Sequence, residues 1–301
     1  MDELLRINNI SMKYGNLMVL KNVNMTIHKG DIYGFVGRNG AGKTTLIRVI
    51  TGLINPCSGS YEFNLPKRLG VMSGIVEAPA IKENLNGYEN LKTQAMLLGL
   101  KDYEAKIEEI LKIVELPNDD KKAGNYSLGM RQRLAIACLL LGNPEFMILD
   151  EPANGLDPKG MKEIRELIIR LNKERGITFL ISSHILSELD KMATTYGFIE
   201  NGKIMKEIDA VDLHNVGKVA YAFKVSDTSN IKSDIEKVFN VNCNIVNENY
   251  FILDNEIDPI AVCIFLKGRG LEIFSFERKK EELEDYFISL LKGEEEQWEI
   301  Y

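Results

Sequence analysis

Gly37-Arg38-Asn39-Gly40-Ala41-Gly42-Lys43-Thr44 follows the apolar run Ile32–Val36 and leads into Thr45–Ile50, and its reading decides the fold. The octet fits G-x-x-x-x-G-K-[ST], a phosphate-binding loop set between a strand and a helix. Each position has a physical task. Gly37, Gly40 and Gly42 let the backbone take positive φ and turn successive N–H groups inward around phosphate oxygens. Arg38, Asn39, Ala41 and Thr45 complete the binding segment. Lys43 brings a flexible point charge to the β- and γ-phosphates of a nucleotide, and the Thr44 hydroxyl suits Mg²⁺. The helix opening near Lys43 adds its positive end to the same site. Chance produces such a match in roughly 1% of chains this long. The dinucleotide alternative requires G-x-G-x-x-G, which this stretch does not supply.

A phosphate loop of this kind works with a carboxylate on another strand of the same sheet. Phe146-Met147-Ile148-Leu149-Asp150-Glu151 supplies four apolar residues and then two acids at a strand end. Asp150 is expected at the Mg²⁺ shell, reached through water, and Glu151 is placed to polarise a water in line with the γ-phosphate. Two acids facing solvent is the plain alternative for such a run. A phosphate loop in the same chain disfavours it.

Outward from these two stretches, short apolar strands alternate with helical segments, the pattern of an α/β domain. Strands are expected at Leu4–Ile10, Ile32–Val36, Met147–Leu149, Phe179–Ser182 and Gly197–Ile199. Helices are expected after the loop and at Tyr88–Leu98, Tyr103–Val114, Leu128–Leu141 and Lys159–Lys173. Met161, Ile164, Leu167, Ile168 and Leu171 recur at helical spacing, with Gly176 as a stop. Asn86 and Glu89 form a capping-box pattern, and Asn201-Gly202 reads as a type I′ hairpin turn. Beyond Gly217 the order strand Val219–Val225, helix Ile231–Phe239, strands Cys243–Val246 and Tyr250–Leu253, helix Pro259–Leu266, strand Leu271–Phe276 suggests a small ferredoxin-like α+β domain. A helix Lys280–Leu291 and a solvated acidic tail Gly293–Glu299 close the chain. Domains are therefore expected at 1–216 and 217–301.

At 301 residues the chain is long for one core. Its 45% hydrophobic and 27% charged residues are ordinary for a soluble globular protein. A net charge of −7 is a poor basis for nucleic-acid binding. The strongest apolar run, Leu134–Leu141, falls far short of the roughly 20 residues a membrane span needs. MDELLRINNI has no apolar core of a secretory signal, and Cys57, Cys138, Cys243 and Cys263 form no CxxC pair. Two disulfides are conceivable, but buried, reduced thiols in a cytosolic protein are expected.

Further motifs stand in fixed order around the loop. They are Tyr14-Gly15, Asn125-Tyr126-Ser127-Leu128-Gly129-Met130-Arg131-Gln132-Arg133, Asp150-Glu151-Pro152 running into Ala153-Asn154-Gly155-Leu156-Asp157-Pro158, and Ser182-Ser183-His184. Over residues 3–215 the sequence resembles the nucleotide-binding subunit of an ATP-binding cassette (ABC) transporter. The fold so implied is a P-loop cassette with a mixed central sheet and a helical signature subdomain. The resemblance implies ATP and Mg²⁺ as ligands, with Tyr14 stacking on adenine and Lys43, Glu151 and His184 in catalysis. It implies that Ser127, Leu128, Gly129 and Met130 are the signature that closes on ATP in trans, and that Asp157 belongs to the D-loop. Thr44, Asp150 and Glu77 form the implied metal set. His28 and His214 have no comparable context and read as surface residues.

Two departures stand out. The signature has Leu128 and Met130 where Gly and Gln are usual, yet it keeps the Ser127 hydroxyl and Gly129 N–H as donors. In Val76-Glu77-Ala78-Pro79, Glu77 takes the position of the usual Q-loop glutamine. With the YSLGMRQR signature and Leu283-Glu284-Asp285-Tyr286-Phe287, this resembles the bacitracin- and lantibiotic-resistance branch of exporters. The resemblance implies a separate membrane permease docking near Glu77, a head-to-tail dimer with a second copy of the chain, and a position at the inner face of the cell membrane. A soluble non-transport ABC-type ATPase is the alternative, but the chain has one P-loop and no sustained heptads. A GTPase would need N-K-x-D, and Asn172-Lys173-Glu174-Arg175 lacks the aspartate.

Overall fold

The computed structural model describes residues 2–77, 80–216, 219–254, 257–280, 283, 284, 286–288, 290 and 291. The chain divides into two compact units, Met1–Ala210 and Val211–Tyr301.

The first unit opens with strands β1 (Glu3–Tyr14), β2 (Leu17–His28) and β3 (Ile32–Val36), then helix α1 (Lys43–Ile50). Strands β4 (Ser58–Phe63) and β5 (Met72–Ile75) lead to helices α2 (Gly87–Leu97), α3 (Glu104–Ile113) and α4 (Leu128–Leu140). Strand β6 (Phe146–Asp150), helix α5 (Pro158–Arg175), strand β7 (Thr178–Ser183) and the short α6 (Leu186–Leu189) follow. The hairpin β8 (Thr195–Glu200) and β9 (Lys203–Asp209) ends at helix α7 (Ala210–Val216). Six strands form one sheet in the order β5-β6-β7-β3-β8-β9, parallel except for β9, and β2-β1-β4 form an antiparallel sheet. Side chains of both sheets and α1 share a core that includes Leu5, Ile7, Leu20, Phe35, Leu46, Ile148 and Leu180. This is the P-loop cassette fold with its mixed sheet. No helix among the described residues is long and apolar enough to cross a membrane.

The expected elements are present to within a few residues, except that β1 runs four residues beyond Ile10 and the strand Ile273–Lys280 runs four beyond Phe276, into the start of the expected last helix. The capping box at α2 is closed at both ends: the Glu89 N–H donates to Asn86 Oδ1 and the Asn86 N–H to Glu89 Oε2, each at 2.8 Å. Gly176 ends α5 at φ 64°, and Asn201 and Gly202 turn the β8–β9 hairpin at φ 49° and 80°. Three strands lie outside the expected set. In β2 the pairing with β1 slips repeatedly, which breaks simple alternation, whereas β4 is mostly exposed and β5 has only four residues.

The second unit takes in α7 from Val211 onward and then β10 (Val219–Val225), α8 (Lys232–Phe239), β11 (Cys243–Asn247), β12 (Tyr250–Asp254), α9 (Pro259–Gly268) and β13 (Ile273–Lys280). The strands form an antiparallel sheet in the order β11-β12-β10-β13. Its core joins Phe223, Phe251 and Leu253 of the sheet to Ile235 of α8 and Val262 and Leu266 of α9. The described residues between 283 and 291 are helical, and the expected tail Gly293–Glu299 lies outside the described residues. All four cysteines are reduced thiols, as expected, but only Cys243 is buried: Cys138 and Cys263 are partly so and Cys57 is exposed. His28 is likewise not a plain surface residue: it is half-buried, with Nδ1 3.7 Å from Asp31. The His214 side chain lies outside the described residues.

Candidate functional site

Strand order builds the site. β7 lies between β6 and β3 and runs parallel to both, with Val36 beside Ser183 and Asp150 beside Ser182. The chain therefore leaves all three strands at one edge of the sheet, where parallel α/β folds hold their ligands. There the loop after β3, Glu151 after β6 and His184 after β7 line a cavity of about 440 Å³, together with Tyr14, Val19 and Asn154.

The loop's glycines are required by space and by backbone. A Cβ on Gly37 would sit 2.5 Å from the Ile199 carbonyl oxygen, and Gly42 has φ 112° with Leu20 pressed against it. Gly37 and Ala41 are buried beneath the loop, while Arg38, Asn39, Gly40, Gly42, Thr44 and Thr45 face the cavity. Lys43 is only 6% exposed. Its ammonium donates to the carbonyls of Gly37 at 2.6 Å and Arg38 at 3.4 Å, and lies 3.7 Å from the Glu151 carboxylate. A buried ammonium needs such partners.

Asp150 is buried and accepts from two hydroxyls, that of Thr44 at 3.0 Å and that of Ser182. A carboxylate and a hydroxyl in contact are hard oxygen donors of the sort Mg²⁺ takes, so the residues fit that ion. Ser182 also accepts the Glu151 N–H at 3.0 Å, so one buried hydroxyl orients both acids. Sequence reading gave Ser182 no role, although a hydroxyl at the end of a fully buried strand was the available signal. Glu151 has φ 52°, a strained value for a residue with a Cβ. That turn brings its Oε2 within 2.6 Å of His184 Nδ1.

Tyr14 stands half-exposed at the cavity wall, and Arg48 of α1 lies beside its hydroxyl. Arg48 also pairs with Glu77, whose side chain is 59% exposed and whose φ is 66°. Glu77 thus meets a residue of α1 and does not line the cavity. Ala78 and Pro79 lie outside the described residues.

Ser127, Leu128, Gly129 and Met130 line a second cavity of about 500 Å³ with Arg133, Asp157 and Lys159, sharing no residue with the first. Ser127 caps α4, its oxygen accepting the Met130 N–H at 3.2 Å, which leaves its own proton free to be donated. Asp157 caps α5 through the Gly160 N–H at 3.0 Å. Val19 and Asn154, like Ser182, were not expected at the first site. Val19 falls on β2, the strand that sequence reading omitted.

The family model described as ABC transporter matches residues 20–154. The chain is 38% identical to the bacitracin transport ATP-binding protein BcrA of Bacillus licheniformis, over 97% of this chain and 99% of that one. The chain belongs to the ATP-binding proteins of ABC transporters. It is the ATP-binding subunit, an ABC-type ATPase. The lantibiotic transport ATP-binding protein SrtF of Streptococcus pyogenes is 44% identical over 68% of this chain and 90% of its own length. A solved ATP-binding subunit of an ABC transporter superimposes with a TM-score of 0.62 at 30% identity, covering 70% of this chain and 92% of that one.

Proposed function

We propose that this ABC subunit hydrolyses Mg²⁺-ATP between two copies of the chain and thereby drives a separate permease that exports a peptide antibiotic or a related drug. The observation that carries the hydrolytic part is the meeting of Lys43, Asp150 and the Glu151–His184 pair at one sheet edge. Similarity to the bacitracin and lantibiotic transport proteins, taken with Glu77 and the YSLGMRQR signature, supports the cargo.

In this reading the loop amides and Lys43 hold the phosphates, and Tyr14 takes the adenine. Thr44 and Asp150 would hold Mg²⁺, joined by Glu77 only if that loop moves in the coupled state, and the ion would neutralise charge on the phosphate oxygens. Glu151 accepts the proton of the attacking water, and His184 fixes its carboxylate. A neutral imidazole that donates from Nδ1 to Glu151 has only an acceptor left at Nε2. Contact with a γ-phosphate through Nε2 therefore calls for the imidazolium. Ser127 and Gly129 of the second copy close over the γ-phosphate, excluding water and completing the electrostatic clamp. Glu77 couples this closure to the permease.

Residues 1–216 form the nucleotide-binding domain and 217–301 an accessory domain of ferredoxin-like fold. The βαββαβ order and the antiparallel strand order of the second unit support that assignment. The subunit works at the inner face of the membrane, held there by the permease. The test is expression of the chain with its permease in a host sensitive to peptide antibiotics. Resistance should rise and be abolished by Lys43→Ala. Unchanged sensitivity to bacitracin and to lantibiotics, in cells where the complex assembles and hydrolyses ATP, would overturn the assigned cargo.

A further inference from the structure

His184 is followed by α6, which at four residues is too short to hold its own conformation in water. Tertiary contacts set its place. Leu186 and Leu189 are buried, Leu189 packing over Gly34 of β3. On the other side of the turn, the Glu188 carboxylate pairs with Arg165 of α5 and accepts from Lys191 at 2.9 Å. The side chains of Arg165 and Glu188 are only 16% and 12% exposed. Charges withdrawn that far from water hold one geometry, and losing either partner leaves the other uncompensated.

The pair joins two loops that both bear on the reaction. α5 is a rod of 18 residues whose N-cap is Asp157, in the second cavity, and Arg165 stands about two turns further along. Glu188 lies four residues after His184, and between them the Ile185 N–H is tied to Ser183 Oγ at 2.9 Å. A shift of α5 therefore reaches the His184 backbone through Glu188. We propose that Arg165 and Glu188 are a positioning pair that fixes His184 against Glu151 and passes the placement of the Asp157 loop to that contact. This rests on the reading of His184 as a partner in hydrolysis. Neither residue touches the reacting atoms. The pair acts through the imidazole, where a displacement of about 1 Å is enough to cost turnover.

The test uses the full chain, whose three histidines give a sparse imidazole spectrum. The His184 signals are assigned by their loss in His184→Gln. Ring ¹⁵N shifts report where the proton sits and what it bonds to, which a general loss of stability does not alter. Arg165→Met and the isosteric Glu188→Gln should both move the His184 Nδ1 resonance and leave His28 unchanged. Turnover should fall about ten- to a hundredfold at constant KM, since the displaced group acts in the transition state. Arg165→Lys, which keeps the charge but not the planar fork, should lie between. If Arg165→Met does not fold, Glu188→Gln decides by the same readout. A His184 resonance at its wild-type position in the folded variants overturns the pair, whatever turnover does. A moved resonance with wild-type turnover supports the pair and removes His184 from the hydrolytic step.

Discussion

Glu151 is held in its left-handed turn by two bonds from its own N–H, to the Ser182 hydroxyl and carbonyl, so its carboxylate is aimed before any ligand arrives. Glu151→Gln keeps the shape and an acceptor for His184 but cannot take a proton. ATP binding should persist while hydrolysis falls about 10²–10⁴-fold, measured by equilibrium binding beside single-turnover hydrolysis. Turnover near wild type would remove Glu151 as the base. Glu77 invites a different comparison. An exposed ion pair such as Glu77–Arg48 adds little to stability, because water screens it. Glu77→Ala should therefore barely change the melting temperature, while Mg²⁺ dependence and permease-stimulated hydrolysis both weaken. Unaltered stimulation and unaltered drug resistance would make Glu77 a bystander.

Element ends carry the site's other groups. Ser127→Arg deletes the α4 cap, worth about 1 kcal/mol, and fills the second cavity with a long cation. ATP binding by the isolated subunit should survive and ATP-driven dimerisation should not, as gel filtration with and without nucleotide would register. Loss of binding by the monomer would put Ser127 in the wrong site. At the β2–β3 turn, burial pushes the Asp31 carboxyl above its ordinary value of 3.8, against the opposing pull of the His28 N–H. The folded chain thus binds this proton more tightly than the unfolded one. The stabilisation is complete below pH 3.8 and is lost as pH rises through the raised value. Asp31→Asn keeps an acceptor for the His28 N–H without ionising. Urea midpoints should favour the variant at pH 7 and converge with wild type toward pH 4, and a constant gap would refute the assignment. Legibility followed from the same physics. The phosphate loop, Asp150, Glu151 and His184 sit where a local pattern meets a strand end, so they could be read directly. Val19, Ser182 and the Arg165–Glu188 pair owe their place to strand order and to packing between distant elements, which no local spacing records. Glu77 could be named as unusual, but its partner Arg48, 29 residues earlier, could not.

Over the whole molecule, each unit has its own reporter thiol. Cys138, in the first unit, is half-buried with its thiol pushed up to about 12 by burial, and Cys243, in the second, is fully buried. Neither should react with a thiol reagent at pH 8 until its own unit opens, whereas the exposed Cys57 should react at once. ATP at about a hundred times its dissociation constant stabilises whatever binds it by about 2.7 kcal/mol. For a unit of this size that raises the melting temperature by roughly 5–10 °C. With ATP present, the temperature at which Cys138 becomes reactive should rise by that amount and that of Cys243 should stay put. A chain ending at Val216 should fold, bind ATP and show the same Cys138 transition. If ATP protects Cys243 equally, or if the shortened chain is insoluble or does not bind nucleotide, the two units depend on one core and the boundary near residue 216 is misplaced.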